Sequence, residues 1–121
     1  MYLSADEILA ADDLQREPVK VPEWGGTVLV QGMTGTDRDR FEAGMMNDSM
    51  TGVAKDKALE RYRARLAAAC MVDADGKRLF RSDAEVKRLG EKSAQALSRV
   101  VDVASRLSGL TDEDVAELTG N

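Results

Sequence analysis

Few side chains in this sequence are of the types that make or break bonds. Histidine is absent and cysteine occurs once, as Cys70. That removes the commonest general base and metal ligand, and it excludes Cys-His and Ser-His-Asp nucleophilic sites, most zinc sites and any intramolecular disulfide. Carboxylate chemistry stays open, but the 22 Asp and Glu residues include no isolated pair in an apolar setting, the arrangement that raises a carboxyl pKa for acid catalysis. They read as solvated faces. Asp73-Ala74-Asp75-Gly76 has the core of a calcium loop; with Gly76 at the sixth position, however, Met71 and Ser82 fall at the first and twelfth, where a carboxylate and a bidentate Glu are required. Gly32-Met33-Thr34-Gly35-Thr36 follows a strand and opens a helix, as phosphate loops do, but lacks the Gly-Lys-Ser/Thr that grips the phosphates. Both stretches read as turns, the second with a helix cap. Cys70 sits on the apolar stripe of a helix, where a small inert thiol is the usual case. The residues point to no catalytic, cofactor or metal site and to a protein that is not an enzyme.

The side chains left with a chemical character of their own are methionines. Met33, Met45, Met46 and Met50 are four of the six in the chain. Flexible thioethers suit adaptable binding surfaces and equally fill irregular gaps in cores. The first reading makes Met45, Met46 and Met50 the candidate partner-binding residues, around a loop Asn47-Asp48-Ser49-Met50-Thr51-Gly52 expected to be mobile.

The elements that position these residues follow from periodicity and turn chemistry. Val19 and Val21 alternate with polar residues, as do Val28 and Val30, on either side of Gly25-Gly26. This is a hairpin signal at about 17–32, with the two glycines as a type I′ or II′ turn, Val21 opposite Val30, Pro22 opposite Leu29 and Glu23 opposite Val28. Pro18 and Pro22 offer no ladder N–H, so the first strand belongs at an edge. Ser4 with Glu7 and Ser82 with Glu85 have capping-box spacing, Thr36 with Asp39 resembles an N-cap and its acidic N3 residue, and Thr111 with Asp114 starts a last helix. Beyond a short N-terminal helix, the helices are expected at about 37–47, 54–71, 83–89, 92–108 and 112–118. Leu59, Tyr62, Leu66, Ala69 and Cys70 form the stripe of one long helix; Ala94, Leu97, Val100, Val101, Ala104 and Leu107 form that of the other. Arg78-Leu79-Phe80 reads as a short extended segment bringing Phe80 to the core. The fold class is α+β: a single, mainly helical domain over residues 1–121, with one N-terminal hairpin packed on three to five helices.

The chain of 121 residues is long enough for one core, and its formal charge of −5 disfavours a surface built to grip nucleic acid. The helices at 83–89 and 92–108 carry nearly balanced charge, unlike a basic recognition helix. No apolar run nears the roughly 20 residues that span a bilayer, and Met1-Tyr2-Leu3-Ser4 begins no leader. The expectation is a soluble protein that stays in the cytoplasm and binds neither nucleic acid nor membrane.

Several stretches together resemble a known family. Pro22-Glu23-Trp24-Gly25-Gly26 followed by Val28 and Val30, then Met33-Thr34-Gly35-Thr36-Asp37-Arg38 and Phe41-Glu42, is similar to the opening of tail assembly chaperones from long-tailed bacteriophages and prophages. Arg63-Ala64-Arg65-Leu66 running to Val72-Asp73-Ala74-Asp75-Gly76-Lys77-Arg78-Leu79-Phe80 fits the same pattern. So does Leu89-Gly90-Glu91-Lys92-Ser93 running to Leu107-Ser108-Gly109-Leu110, which extends the resemblance over most of the chain, from Ile8 to Glu117. The resemblance implies a protein without catalytic residues or cofactors that binds the tape measure protein, keeps its long apolar helices soluble and helps recruit the major tail tube protein. It implies action in the bacterial host cytoplasm and absence from the mature virion, with self-association as a further option. Such families often make a longer frameshifted product, of which this chain would be the short form. The alternative is a small structural virion component such as a head-to-tail connector subunit.

Overall fold

The computed structural model describes the backbone of residues 1–50 and 55–118, and among these the side chains of residues 1–46 and 61–118. In chain order the elements are α1 (Ala5–Ala10), β1 (Arg16–Val21), β2 (Gly26–Gln31), α2 (Gly35–Met50), α3 (Lys55–Cys70), β3 (Met71–Val72), α4 (Asp83–Leu89), α5 (Ala94–Leu107) and α6 (Asp112–Leu118). This is a mainly helical α+β architecture, the class that the periodicities predict.

The hairpin is present, with a different turn. β1 and β2 pair antiparallel with Val21 opposite Gly26, Val19 opposite Val28 and Glu17 opposite Val30, so the expected pairing of Val21 with Val30 is wrong. The chain reverses through a turn of 3-10 helix, Pro22–Trp24, closed by Gly25 at φ 73°, whose N–H donates to Pro22 O at 3.0 Å. Proline holds φ near the helical value, so it opens such a turn by itself and frees Gly26 to begin the second strand. The register slips by an even number of residues. Val19, Val21, Val28 and Val30 therefore still share one face, as they would not after a slip of one.

β1 is an edge strand, where its prolines are tolerated, because the strand order is β1-β2-β3. The third strand was not expected: Met71 and Val72, read as the end of a helix and the start of a turn, pair with Val30 and Leu29. Past them the chain folds back, with Asp73 N donating to Lys77 O at 2.8 Å and Val72 bridging to Arg78.

Helix ends follow local side-chain chemistry. Ser4 with Glu7 and Ser82 with Glu85 form complete capping boxes, and Thr111 Oγ1 accepts from Asp114 N at 3.1 Å while the Asp114 carboxylate accepts from Thr111 N at 2.9 Å. The carboxyls of Glu7, Glu85 and Asp114 lie below their ordinary values, chiefly because each accepts a backbone N–H at its cap. α2 begins earlier than expected: Thr34 Oγ1 accepts from Asp37 N at 3.0 Å, so Thr34 and Asp37 fill the roles assigned to Thr36 and Asp39. It also continues through Asn47, Asp48 and Ser49 to Met50, where a loop was expected; Thr51 and Gly52 lie outside the described residues.

α5 lies between the sheet and α3 and touches both. Its buried residues are Ala96, Leu97, Val100 and Ala104, with Val101 and Leu107 half-buried. Ala94, expected on the stripe, is exposed. Tyr62, Leu66 and Cys70 are buried as their spacing predicts, Ala69 is half-buried, and the side chain of Leu59 lies outside the described residues. Ala64, Ala67 and Ala68 are buried as well, because α3 is packed against α2, α4 and α5 together. Val21, Val30, Met45, Leu66, Met71 and Val100 form the fully buried centre. Each contributes about 1.5–3 kcal/mol from leaving water.

The exit of β2 meets the end of α5 backbone to backbone. A Cβ on Gly32 would lie 2.5 Å from Leu107 O, closer than real side chains approach. Beside it Ser108 Oγ accepts from Met33 N at 3.1 Å, while Arg38 donates to Ser108 O at 3.4 Å and pairs with Asp114 at 3.5 Å. Arg38 thus supplies a cation where α5 leaves carbonyls unpaired, and ties α2 to α5 and α6.

Candidate partner-binding surface

The methionines divide by helical register. Met45 lies one turn after Phe41 on the core face of α2 and is fully buried; Phe41 meets Tyr62 of α3 with ring centroids 5.7 Å apart and tilted by 57°. Met45 therefore belongs to the core, a correction to its assignment as a surface contact. Met46 is 61% exposed, since one residue further is a rotation of about 100°. The side chain of Met50 lies outside the described residues. Because the helix is unbroken, position 50 falls on the same side of α2 as position 46 rather than in a loop. Met33 is half-buried against the core.

A groove of about 1050 Å³ runs between α2, α3, α4 and the segment leading into α4. Small residues keep its floor low: a Cβ on Gly90 would lie 3.3 Å from Ala64 Cβ, and one on Gly44 would lie 2.9 Å from an Arg65 nitrogen. Among the described residues its basic lining is Arg40, Arg61, Arg65, Arg78, Arg81 and Lys87, against the acids Asp37, Asp83 and Glu91. Phe41 and Val86 add apolar surface. A chain of net charge −5 thus gathers a basic surface on one side. Sequence reading missed it because the charges come from four separate segments, and only the fold brings them together. The spacing of Arg61 and Arg65 on one helix face was the available signal.

The N-terminal segment is the opposite in charge and in setting. Residues 1–13 are exposed throughout, and Met1, Tyr2, Leu3, Ile8 and Leu9 are the large apolar side chains exposed there.

The residues that suggested chemistry are engaged in structure. Asp73 Oδ1 accepts from Lys77 N at 3.0 Å and from Asp75 N at 2.8 Å, the first above all holding its carboxyl below the ordinary value, and Gly76 takes φ 82° to close the turn. Cys70 is fully buried, and burial pushes its thiol up to about 11, with Ser108 Oγ 3.7 Å away. A thiol held neutral in this way is a poor nucleophile.

These features define a small, mainly helical α+β protein with a basic groove on one side. A sequence model described as phage tail assembly chaperone matches residues 7–119, and the chain belongs to that family. Membership assigns a non-catalytic role in assembling bacteriophage tails, exercised in the host on phage tail proteins. No characterised protein and no solved structure is significantly similar to the chain. Among the described residues no helix is long and apolar enough to cross a membrane.

Proposed function

We propose that the protein binds the tape measure protein of its phage, keeps the long apolar helices of that protein in solution, and helps recruit tube subunits as the tail is built. Family membership carries this reading. The chaperone acts by binding, without catalysis, in the host cytoplasm, and is released before the virion is complete.

The contact proposed for the tape measure protein is Met46, exposed on α2, with Met50 one helical turn further on. Among the described residues, Met46 is one of the large apolar side chains exposed outside the N-terminal segment, and a soft thioether adapts to helices of varied sequence better than a shaped pocket does. Met45 supports this surface from beneath, as part of the core.

The test is co-expression with the tape measure protein, followed by pull-down. Met46→Ser with Met50→Ser should leave the melting temperature nearly unchanged and reduce capture. Normal capture by a normally melting double variant would remove these residues from the contact. Mass spectrometry of purified virions decides against the connector reading if the protein is absent, and for it if the protein is present in stoichiometric amounts.

A further inference from the structure

We infer that a separate contact lies in the cleft where the hairpin turn meets the α4–α5 junction, and that it takes a protein segment presenting an aliphatic or aromatic side chain next to an Asp or Glu. The cleft holds about 350 Å³ and is lined by Glu23, Trp24, Phe80, Leu89 and Lys92. It shares none of these residues with the basic groove. Its volume is at the small end of the roughly 300–1,000 Å³ of ligand pockets, which is room for a side chain or two.

The walls define the apolar half of the occupant. Trp24 and Phe80 are half-buried rings packed against the core, and Leu89 is buried at the end of α4. Rings that line an open cleft keep apolar area in water, and a side chain seated between them removes it.

Two polar groups define the other half. The Trp24 indole Nε1–H is shut off from water yet has no acceptor among the described residues. An indole N–H only donates, so nothing but an acceptor satisfies it, and leaving it unpaired is a standing penalty. The χ2 torsion of an aromatic side chain is broad, so the ring can turn this N–H toward an acceptor seated in the cleft. Lys92 is exposed and makes no ion pair among the described residues. Of the acids close to it in the cleft or in sequence, Glu23 pairs with Arg99 at 3.0 Å and Glu91 lines the groove instead. One group answers both demands, since a carboxylate accepts from the indole and pairs with the ammonium. An amide would answer only the first. The family acts on phage tail proteins, so the source assigned to the carboxylate is an Asp or Glu side chain of such a protein. The inference rests on the reading of the chain as a binding protein and is independent of the Met46 contact.

Trp24 is the only tryptophan, so its indole N–H gives a single NMR signal that reports on the cleft directly. The probe is the blocked peptide acetyl-Glu-Leu-Phe-amide, titrated to millimolar concentration into the isotope-labelled full chain. The indole signal should move downfield and saturate. The same peptide with Gln for Glu should bind several-fold more weakly, the one with Lys should leave the signal unmoved, and salt should bring the Glu and Gln peptides together. Lys92→Ala, at an exposed position, should abolish the preference for Glu over Gln without moving the melting temperature. Trp24→Phe, followed through backbone amide signals, should weaken both peptides, as should Phe80→Ala; if Phe80→Ala melts early, the other two variants carry the test. Met46→Ser with Met50→Ser should bind the peptide as the wild type does, so failure here and failure of the tape measure contact are told apart. An indole signal that does not move, three peptides that bind alike, or a preference for Glu that survives Lys92→Ala would overturn the inference. Binding confined to a peptide with a free C-terminal carboxylate would overturn it equally.

Discussion

Gly32 shows how a single position sets the geometry around it. Its missing side chain lets the exit of β2 rest on the last carbonyl of α5, so Gly32→Ala must push a Cβ away from Leu107 O, 2.5 Å off. The expected cost is about 1–3 kcal/mol, as for other overpacked sites, read from the urea midpoint. Next to it, Thr34→Ala should cost about 1 kcal/mol as a lost N-cap, and Thr36→Ala should stay within about 0.5 kcal/mol. Equal losses from the two would contradict the cap seen at Thr34. Cys70 gives a pH dependence with a definite sign. Burial raises its thiol from 9.0 to about 11, so the folded state holds the proton more tightly than the unfolded chain does. The associated stability is complete below pH 9 and is lost as pH rises toward 11, by roughly 2–3 kcal/mol. Tyr62, also raised by burial, loses stability in the same direction, so the Cys70 share is the difference between wild type and Cys70→Ala, whose alkaline slope should be flatter.

Among the elements, α5 bears the most weight, since the sheet and α3 both pack on it. Val100→Asp would bury a charge without a partner at a fully buried position, and the domain should unfold or lose several kcal/mol. Wild-type melting would mean that this face is exposed. The periodicity of α5 was legible because a helix amphipathic on its own declares its buried face, and the two capping boxes were legible because they are local; the Ser93 cap of α5 was not read. The hairpin turn was misread because two glycines outweighed Pro22, although the proline is the residue that constrains the backbone. β3 carried no signal of its own: two apolar residues at the end of a helix become a strand only because β2 lies beside them. The extent of α2 was misjudged from Asn47-Asp48-Ser49, poor helix formers that an established helix nevertheless runs through. Met45 and Met46 lay inside the expected helix in any case, and placing both on one surface overlooked the rotation of about 100° between successive helical residues.

For the whole molecule, the distribution of charge matters more than its sum. The net charge of −5 conceals a basic groove and an acidic N-terminal segment, and neither can be read from composition. Ion pairs from Arg99 to Glu23 and from Arg106 to Glu17 bridge α5 and the β1 hairpin, but exposed pairs of this kind contribute about 0–1 kcal/mol. The valine face, the α3–α5 contact and the caps hold the fold. The proposed role is to keep a tail protein in solution until the tail forms. It is tested most directly by the fraction of the phage tape measure protein that remains soluble when expressed alone, with the wild-type chain, or with the Met46→Ser, Met50→Ser variant. The expected result is a soluble complex with the wild type, with most of the tape measure protein insoluble alone and an intermediate fraction with the variant. A tape measure protein equally soluble in all three cases, or equally insoluble, would contradict it.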